Sequence, residues 1–91
     1  MNNAVKPTNG QGIDFFIDIT GEVCPLTFVK TKLLIESMAP GQTAEVRLKG
    51  QEPLENVPRS VSEQGHQVLG LTPEGPSEPL HGVHRLVLRK V

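Results

Sequence analysis

The sequence predicts an α/β (α+β) fold of two layers, in which two helices cover one face of a four-stranded mixed sheet. Two short segments alternate apolar and polar residues, as half-buried strands do, and two further short runs near the C-terminus are rich in Val and Leu. Two longer segments between these runs repeat apolar residues at helical spacing. The resulting order, βαβαββ, is typical of a two-layer sandwich with right-handed crossovers.

The N-terminal part of the chain divides into a tail and a first strand. Residues 1–12 are rich in Asn, Gly and Pro, which predicts a flexible tail and leaves residues 13–91 as one domain. Ile13–Ile19 places apolar residues at every second position, which predicts a half-buried strand. Thr20 and Gly21 end this strand, because both favour a turn.

The clearest predicted helix and the second strand follow. Pro25–Met38 carries apolar residues three or four positions apart, and Pro40 and Gly41 stop the helix after it. Thr43–Lys49 alternates cleanly, which predicts a strand with one face toward the core and one toward water.

The second helix is less regular than the first. Pro53–Gln64 has apolar residues at helical spacing, but Pro58 lacks an N–H group and disfavours helical geometry in the residue before it. We therefore predict a turn at Pro53, then a short helix from Pro58 to Gln64 that Gly65 ends.

Two strands complete the predicted sheet. Gln67–Leu71 is the third strand, Thr72–His81 is a loop with three prolines and a glycine, and Val83–Val91 is the fourth strand. The fourth strand has two possible buried faces. One consists of Leu86 and Leu88, and the other of Val83, Val87 and Val91.

The composition argues against several functional classes. The chain has 91 residues, a net charge of −1, three Phe and no Trp or Tyr, so it has neither the charge nor the stacking side chains of a typical nucleic-acid-binding protein. It has no apolar run long enough to span a membrane and no signal-peptide pattern. A single cysteine cannot form an internal disulfide. We expect a cytoplasmic protein that does not contact a membrane.

That cysteine, Cys24, occupies the most informative position in the sequence. It lies between the first strand and the first helix and is followed by Pro25, a residue favoured at the first helical position. This spacing predicts that Cys24 is the N-cap of the helix, where backbone N–H groups and the helix dipole favour a thiolate and lower the pKa of the thiol. The alternative is a small, packed and unreactive cysteine.

The residues around Cys24 resemble a known signature. Asp18–Pro25, DITGEVCP, is similar to the D-x-x-G-x-x-C-P motif of the TusA/SirA-like sulfur carriers, and Met38–Gly41 follows at the family's spacing. Val57-Pro58 and Gly65-His66 resemble the second helix of that family and the entry to its third strand. The resemblance extends over Ile13–Val91.

The resemblance implies a fold like the C-terminal domain of translation initiation factor three. It also implies that Cys24 holds sulfur as a persulfide. The sulfur would come from a cysteine desulfurase or a rhodanese-like donor and pass to a protein acceptor, for tRNA thiolation, cofactor assembly or sulfur metabolism. A carrier of this kind is expected to be a monomer without a cofactor, and its link to tRNA is indirect.

Four residues are candidates for supporting Cys24. Asp18 is expected to hold the turn by hydrogen bonds, because its charge would oppose a nearby thiolate. Gly21 is expected to allow a backbone conformation that other residues resist, and Pro25 to direct the first helical turn. Thr27 stands where the family usually has a second proline, and its hydroxyl can form a local hydrogen bond.

Four further residues are candidates for contacting a partner. Glu22 and Val23 precede the cysteine, and Lys30 and Lys32 follow it in the second turn of the helix. The lysines would suit an acidic partner or an RNA phosphate, although solvated helix residues are the simpler interpretation. The segment Gln51–Pro53 lacks the aspartate that the family often has there, which affects the choice of partner more than the fold.

The remaining motifs do not indicate other chemistry. The three histidines, His66, His81 and His84, do not have the spacing of a zinc site, so no metal is expected. Two other functions remain open. One is a binding or regulatory module with an inert cysteine, which the departure at Thr27 favours, and the weaker one is an RNA-binding domain.

Overall fold

The computed structural model of the protein describes residues 13–23 and 25–91. The predicted tail, residues 1–12, and Cys24 therefore lie outside the described residues. The described elements follow the predicted order βαβαββ. They are β1 Phe15–Asp18, α1 Leu26–Glu36, β2 Thr43–Leu48, α2 Gln51–Glu63, β3 Gln67–Pro73 and β4 His84–Arg89.

The sheet is mixed, as predicted. Its strand order is β1-β2-β4-β3, with β1 parallel to β2 and the other neighbours antiparallel. Both helices pack on the same face, because Ile35 of α1 and Val57 and Val61 of α2 lie in one buried cluster with the central strands. The predicted two-layer architecture is confirmed.

The pairing of β4 with β2 decides which face of β4 is buried. Leu86 lies beside Val46 and Leu88 beside Ala44, and all four side chains are fully buried. Val87 is paired with Glu45 on the opposite face of the sheet. Of the two predicted alternatives, the structure therefore selects Leu86 and Leu88.

The second helix is longer than predicted. α2 begins at Gln51, ends at Glu63 and runs through Pro58 without interruption. The predicted turn at Pro53 and helix start at Pro58 are wrong. Packing explains the difference, because Val57 and Val61 are buried in the core and hold the helix together across the missing N–H group.

Gly65 ends α2 as predicted, through its backbone geometry. Its φ of 92° lies in the left-handed region, which favours glycine. The N–H of Gly65 donates to the carbonyl of Ser62, and the N–H of His66 donates to the carbonyl of Val61. These two hydrogen bonds form a Schellman motif that closes the helix.

The last two strands also differ from the prediction at their ends. β3 extends to Pro73, so Thr72 and Pro73 belong to a strand rather than to the predicted loop. Among the described residues, β3 is an edge strand that pairs only with β4, and a proline is tolerated there because one side of the strand needs no ladder hydrogen bonds. β4 is shorter than the predicted Val83–Val91.

Candidate functional site

The candidate site lies at the end of the sheet where the parallel strands β1 and β2 have their C-terminal ends. The chain leaves β1 through a turn that leads to α1, and it leaves β2 at Gly50, which precedes α2. β4 begins at the same end of the sheet, because His84 is paired with Leu48. The turn before α1, the N-terminus of α2 and the loop before β4 therefore lie together at this end of the sheet.

Two consecutive turns connect β1 to α1. The N–H of Glu22 donates to the carbonyl of Ile19 at 3.1 Å, and the N–H of Leu26 donates to the carbonyl of Val23 at 2.8 Å. Cys24 itself is not among the described residues, but Val23 before it is 72% exposed and Pro25 after it is also exposed. The chain on both sides of the cysteine is thus open to solvent.

The helix begins one residue later than predicted. Pro25 is the N-cap of α1, and Leu26 is its first residue. The cause is the turn hydrogen bond between Leu26 and Val23, after which α-helical bonding starts with the N–H of Val29 donating to the carbonyl of Pro25 at 3.0 Å. The prediction that Cys24 is the N-cap is therefore corrected: it precedes the N-cap in the chain.

Asp18 holds the beginning of the turn. Its Oδ1 accepts hydrogen bonds from the backbone N–H of Thr20 at 2.9 Å and from the Thr20 hydroxyl at 2.8 Å. Its Oδ2 accepts a hydrogen bond from Arg47 at 2.9 Å. The bond from the Thr20 backbone, followed by those from the Thr20 hydroxyl and Arg47, keeps the pKa of Asp18 below its ordinary value. Asp18 is therefore a carboxylate whose negative charge is paired with the guanidinium of Arg47.

Gly21 does not have the backbone role that the sequence suggested. Its φ lies outside the left-handed region, and a Cβ built on it would meet no described atom within 4 Å. A larger residue at this position would meet neither backbone strain nor a steric clash with the described part of the chain. The prediction that the turn requires glycine here is wrong.

Thr27 lies inside the protein. Its side chain is fully buried at the start of α1, and its carbonyl accepts a hydrogen bond from the Thr31 hydroxyl at 2.9 Å. Thr27 and Thr31 thus form the buried polar part of the helix face that continues at Ile35. At this position the chain therefore has a buried threonine at the start of α1.

The candidate docking residues are partly paired with one another. Lys30 Nζ lies 2.5 Å from Glu22 Oε2, so the helix and the turn before Cys24 are joined by an ion pair. Lys32 is 3.9 Å from Glu36 one helical turn later.

The first turn of α1 contains no acidic residue. No carboxylate of that turn therefore competes for the positive end of the helix dipole.

The outer side of α1 carries an apolar stripe that the sequence analysis missed. Leu26, Val29 and Leu33 are all exposed, and they lie on one side of the helix because they are three and four residues apart. Leu33 is 58% exposed. The signal was present in the sequence, but α1 is apolar on two sides, and only the tertiary structure shows which side faces the core.

A surface cavity lies beside the turn. It has a volume of about 270 Å³ and lies between residues 22–23 and the beginning of α2. Its lining consists of Glu22, Val23, Lys49, Gly50, Gln51, Glu52 and Pro53. Sequence reasoning did not connect these two segments, because they meet only through the parallel pairing of β1 with β2.

The described residues form no metal site. No group of three or more His, Cys, Asp or Glu side chains is close enough to hold a metal ion in residues 13–23 and 25–91. His66 Nδ1 accepts a hydrogen bond from the N–H of Val91 at 3.1 Å, and His84 Nδ1 lies 2.8 Å from the Gly82 carbonyl.

No helix in residues 13–23 and 25–91 is both long and apolar enough to cross a membrane.

The chain is similar to proteins of one known family. The family model described as sulfurtransferase TusA matches residues 15–90. A candidate sulfur carrier protein of Archaeoglobus fulgidus is 44% identical over 62 residues, which cover 68% of this chain and 70% of that protein. Another, from Thermotoga maritima, is 40% identical over 62 residues, covering 68% of this chain and 78% of that protein.

A solved structure shares the fold. The SirA-like protein of Desulfitobacterium hafniense superimposes with a TM-score of 0.64 and 21% sequence identity. The match covers 81% of this chain and 93% of that chain. At this level of identity the similarity concerns the fold alone.

Proposed function

The chain belongs to the sulfurtransferase TusA family, and from that premise we propose that it is a cytoplasmic sulfur carrier that holds sulfur as a persulfide on Cys24. A sulfur donor protein, a cysteine desulfurase or a rhodanese-like protein, loads the cysteine. A protein acceptor then removes the sulfur, for tRNA thiolation, cofactor assembly or sulfur metabolism.

The proposed reaction exchanges one S–S bond for another. The Cys24 thiolate attacks the outer sulfur of a donor persulfide, R–S–SH, and a new S–S bond forms while the donor S–S bond breaks. The donor leaves as the thiolate R–S⁻, and Cys24 carries S–SH. The step needs no external oxidant or reductant, because the numbers of S–S bonds and protons are unchanged.

The observation that carries this proposal is the open, charge-compensated turn on both sides of Cys24. Val23 and Pro25 are exposed, so a partner protein can approach this part of the chain. The carboxylates of the turn, Asp18 and Glu22, are paired with Arg47 and Lys30. Such an environment does not oppose a thiolate, whereas uncompensated negative charge would raise the pKa of a nearby thiol.

We assign partner contact to Val23 and the apolar stripe of α1, together with Lys30 and Lys32. An exposed apolar strip with charged residues beside it is the usual composition of a transient protein interface. Leu33→Ser should slow sulfur transfer from a protein donor and leave loading by inorganic polysulfide unchanged. Leu69→Ser is the matched control, because Leu69 is similarly exposed, at 47%, but lies on the edge strand β3.

Intact-mass measurement under non-reducing conditions tests the carrier function. The unsubstituted protein and Cys24→Ala are each incubated with a cysteine desulfurase and cysteine. The expected result is the gain of one sulfur atom by the unsubstituted protein alone, reversed by a reductant. No gain from either the desulfurase or inorganic polysulfide would refute the proposal and favour a binding module with an inert cysteine.

A further inference from the structure

The sheet face opposite the helices carries a continuous network of ion pairs. Arg47, on the central strand β2, lies between Asp18 and Glu74, and Arg85 lies between Glu74 and Glu45. Most members of this network come from different elements. Its contacts therefore join segments that are far apart in the sequence.

Arg47 forms three side-chain hydrogen bonds in this network, and they reach carboxylates of two different segments. Its Nε and NH2 donate to the two carboxylate oxygens of Glu74 at 2.6 and 3.0 Å, and its NH1 donates to Asp18 at 2.9 Å. Its backbone carbonyl also accepts the N–H of Ile19 at 2.8 Å. One guanidinium thus connects the turn before Cys24 to the beginning of the loop between β3 and β4.

We propose that Arg47 is a positioning residue for sulfur transfer, which holds the turn before Cys24 and the loop of residues 74–83 in one fixed arrangement for a partner protein. This inference rests on the proposed function. Arg47 acts through Asp18 and Glu74 and does not itself take part in the bond exchange.

The two segments that Arg47 connects both present exposed apolar side chains. Val23 follows the turn and is 72% exposed, and Leu80 lies in the loop and is 81% exposed. A second contact holds the loop at the same end of the sheet, since the N–H of Gly50 donates to the carbonyl of His81 at 2.9 Å. A partner that contacts both segments requires their relative position to be constant.

Lysine cannot replace arginine in this arrangement. A guanidinium offers five donors in a planar fork, which suits a bidentate contact to one carboxylate and a further contact to another. An ammonium group is a compact charge and cannot reproduce that geometry. In its rate of sulfur transfer from the desulfurase, Arg47→Lys should therefore be closer to Arg47→Met than to the unsubstituted protein.

The experiment compares Arg47→Met and Arg47→Lys with Arg85→Met. Arg85→Met removes an arginine from the same network but leaves the contacts of Arg47 with Asp18 and Glu74 intact. For each protein, sulfur transfer from a persulfide-loaded cysteine desulfurase and loading by inorganic polysulfide are measured. Hydrogen exchange is followed at the Thr20 amide, which donates to Asp18.

We expect Arg47→Met to slow transfer from the desulfurase by about tenfold, equivalent to the loss of one charge-assisted hydrogen bond. Loading by polysulfide should be unchanged, and the Thr20 amide should exchange faster. Arg85→Met should leave all three measurements unchanged. Equal transfer by Arg47→Met and the unsubstituted protein, or an equal loss in Arg85→Met, would overturn the proposal.

A second variant covers the case in which Arg47→Met does not fold. Glu74→Gln keeps Arg47 and its contact with Asp18 but weakens the connection to the loop, so it should slow transfer from the desulfurase alone. Failure of the unsubstituted protein to accept sulfur would refute the proposed function. The exchange rate of the Thr20 amide would still decide whether Arg47 orders the turn.

Discussion

Replacing Pro58 with alanine should stabilise this protein. Pro58 lies in the interior of α2, where it cannot donate a hydrogen bond to the carbonyl of Leu54. An interior proline costs about 3 kcal/mol relative to alanine. Its side chain is half-buried, so alanine loses packing of about 1 kcal/mol. The free energy of unfolding should therefore rise by about 2 kcal/mol.

Thermal and urea denaturation measure this effect. For a domain of this size, Tm rises by about 4–8 °C for each kcal/mol. Pro53→Ala is the matched control, because Pro53 lies in the first turn of the same helix, where no N–H group is needed, and its side chain is buried. That variant should be destabilised by about 1–2 kcal/mol through lost packing.

The comparison of the two variants can refute this reasoning. A lower Tm for Pro58→Ala would show that the ring contributes more to packing than its missing N–H group costs. An equal rise in Tm for Pro58→Ala and Pro53→Ala would show that position within the helix does not determine the effect of proline.

Further predictions concern backbone geometry, the core and pH. Gly65→Ala should lower the free energy of unfolding by about 1–2 kcal/mol, because Gly65 has a φ of 92°, whereas Gly21→Ala should leave Tm unchanged. Leu88→Ala should cost about 2–5 kcal/mol in urea denaturation, because Leu88 is fully buried. The hydrogen bond from the Thr20 backbone lowers the pKa of Asp18, so the stability that Asp18 contributes is present above about pH 4 and is lost as the pH falls through its lowered pKa. Asp18→Asn should therefore reduce the loss of stability on acidification, and an unchanged acid transition would contradict this assignment.

The elements that could be predicted from the sequence are those with a clear local pattern. β1 and β2 have apolar residues at every second position, and that period of two predicts which side chains face the core. α1 has a long apolar repeat and a clear stop at Pro40 and Gly41. Its start was misplaced by one residue, because the turn hydrogen bond between Val23 and Leu26 is not visible in the pattern.

The elements that could not be predicted depend on packing between segments. α2 continues through Pro58 because Val57 and Val61 are buried against the sheet. β3 reaches Pro73 because it is paired with β4. Local propensity gave the wrong boundaries in both cases, since contacts between distant segments outweigh it.

The candidate site shows the same division. The sequence by itself determined that a cysteine stands before a helix, next to Pro25 and close to Asp18, because these residues are neighbours in the chain. Only the tertiary structure brought Arg47 and Glu74 to Asp18, since 29 positions separate Asp18 from Arg47 and 27 separate Arg47 from Glu74. Parallel pairing of β1 with β2 places Arg47 beside Asp18, and antiparallel pairing of β4 with both β2 and β3 brings Glu74 near Arg47. No local pattern of residues encodes either proximity.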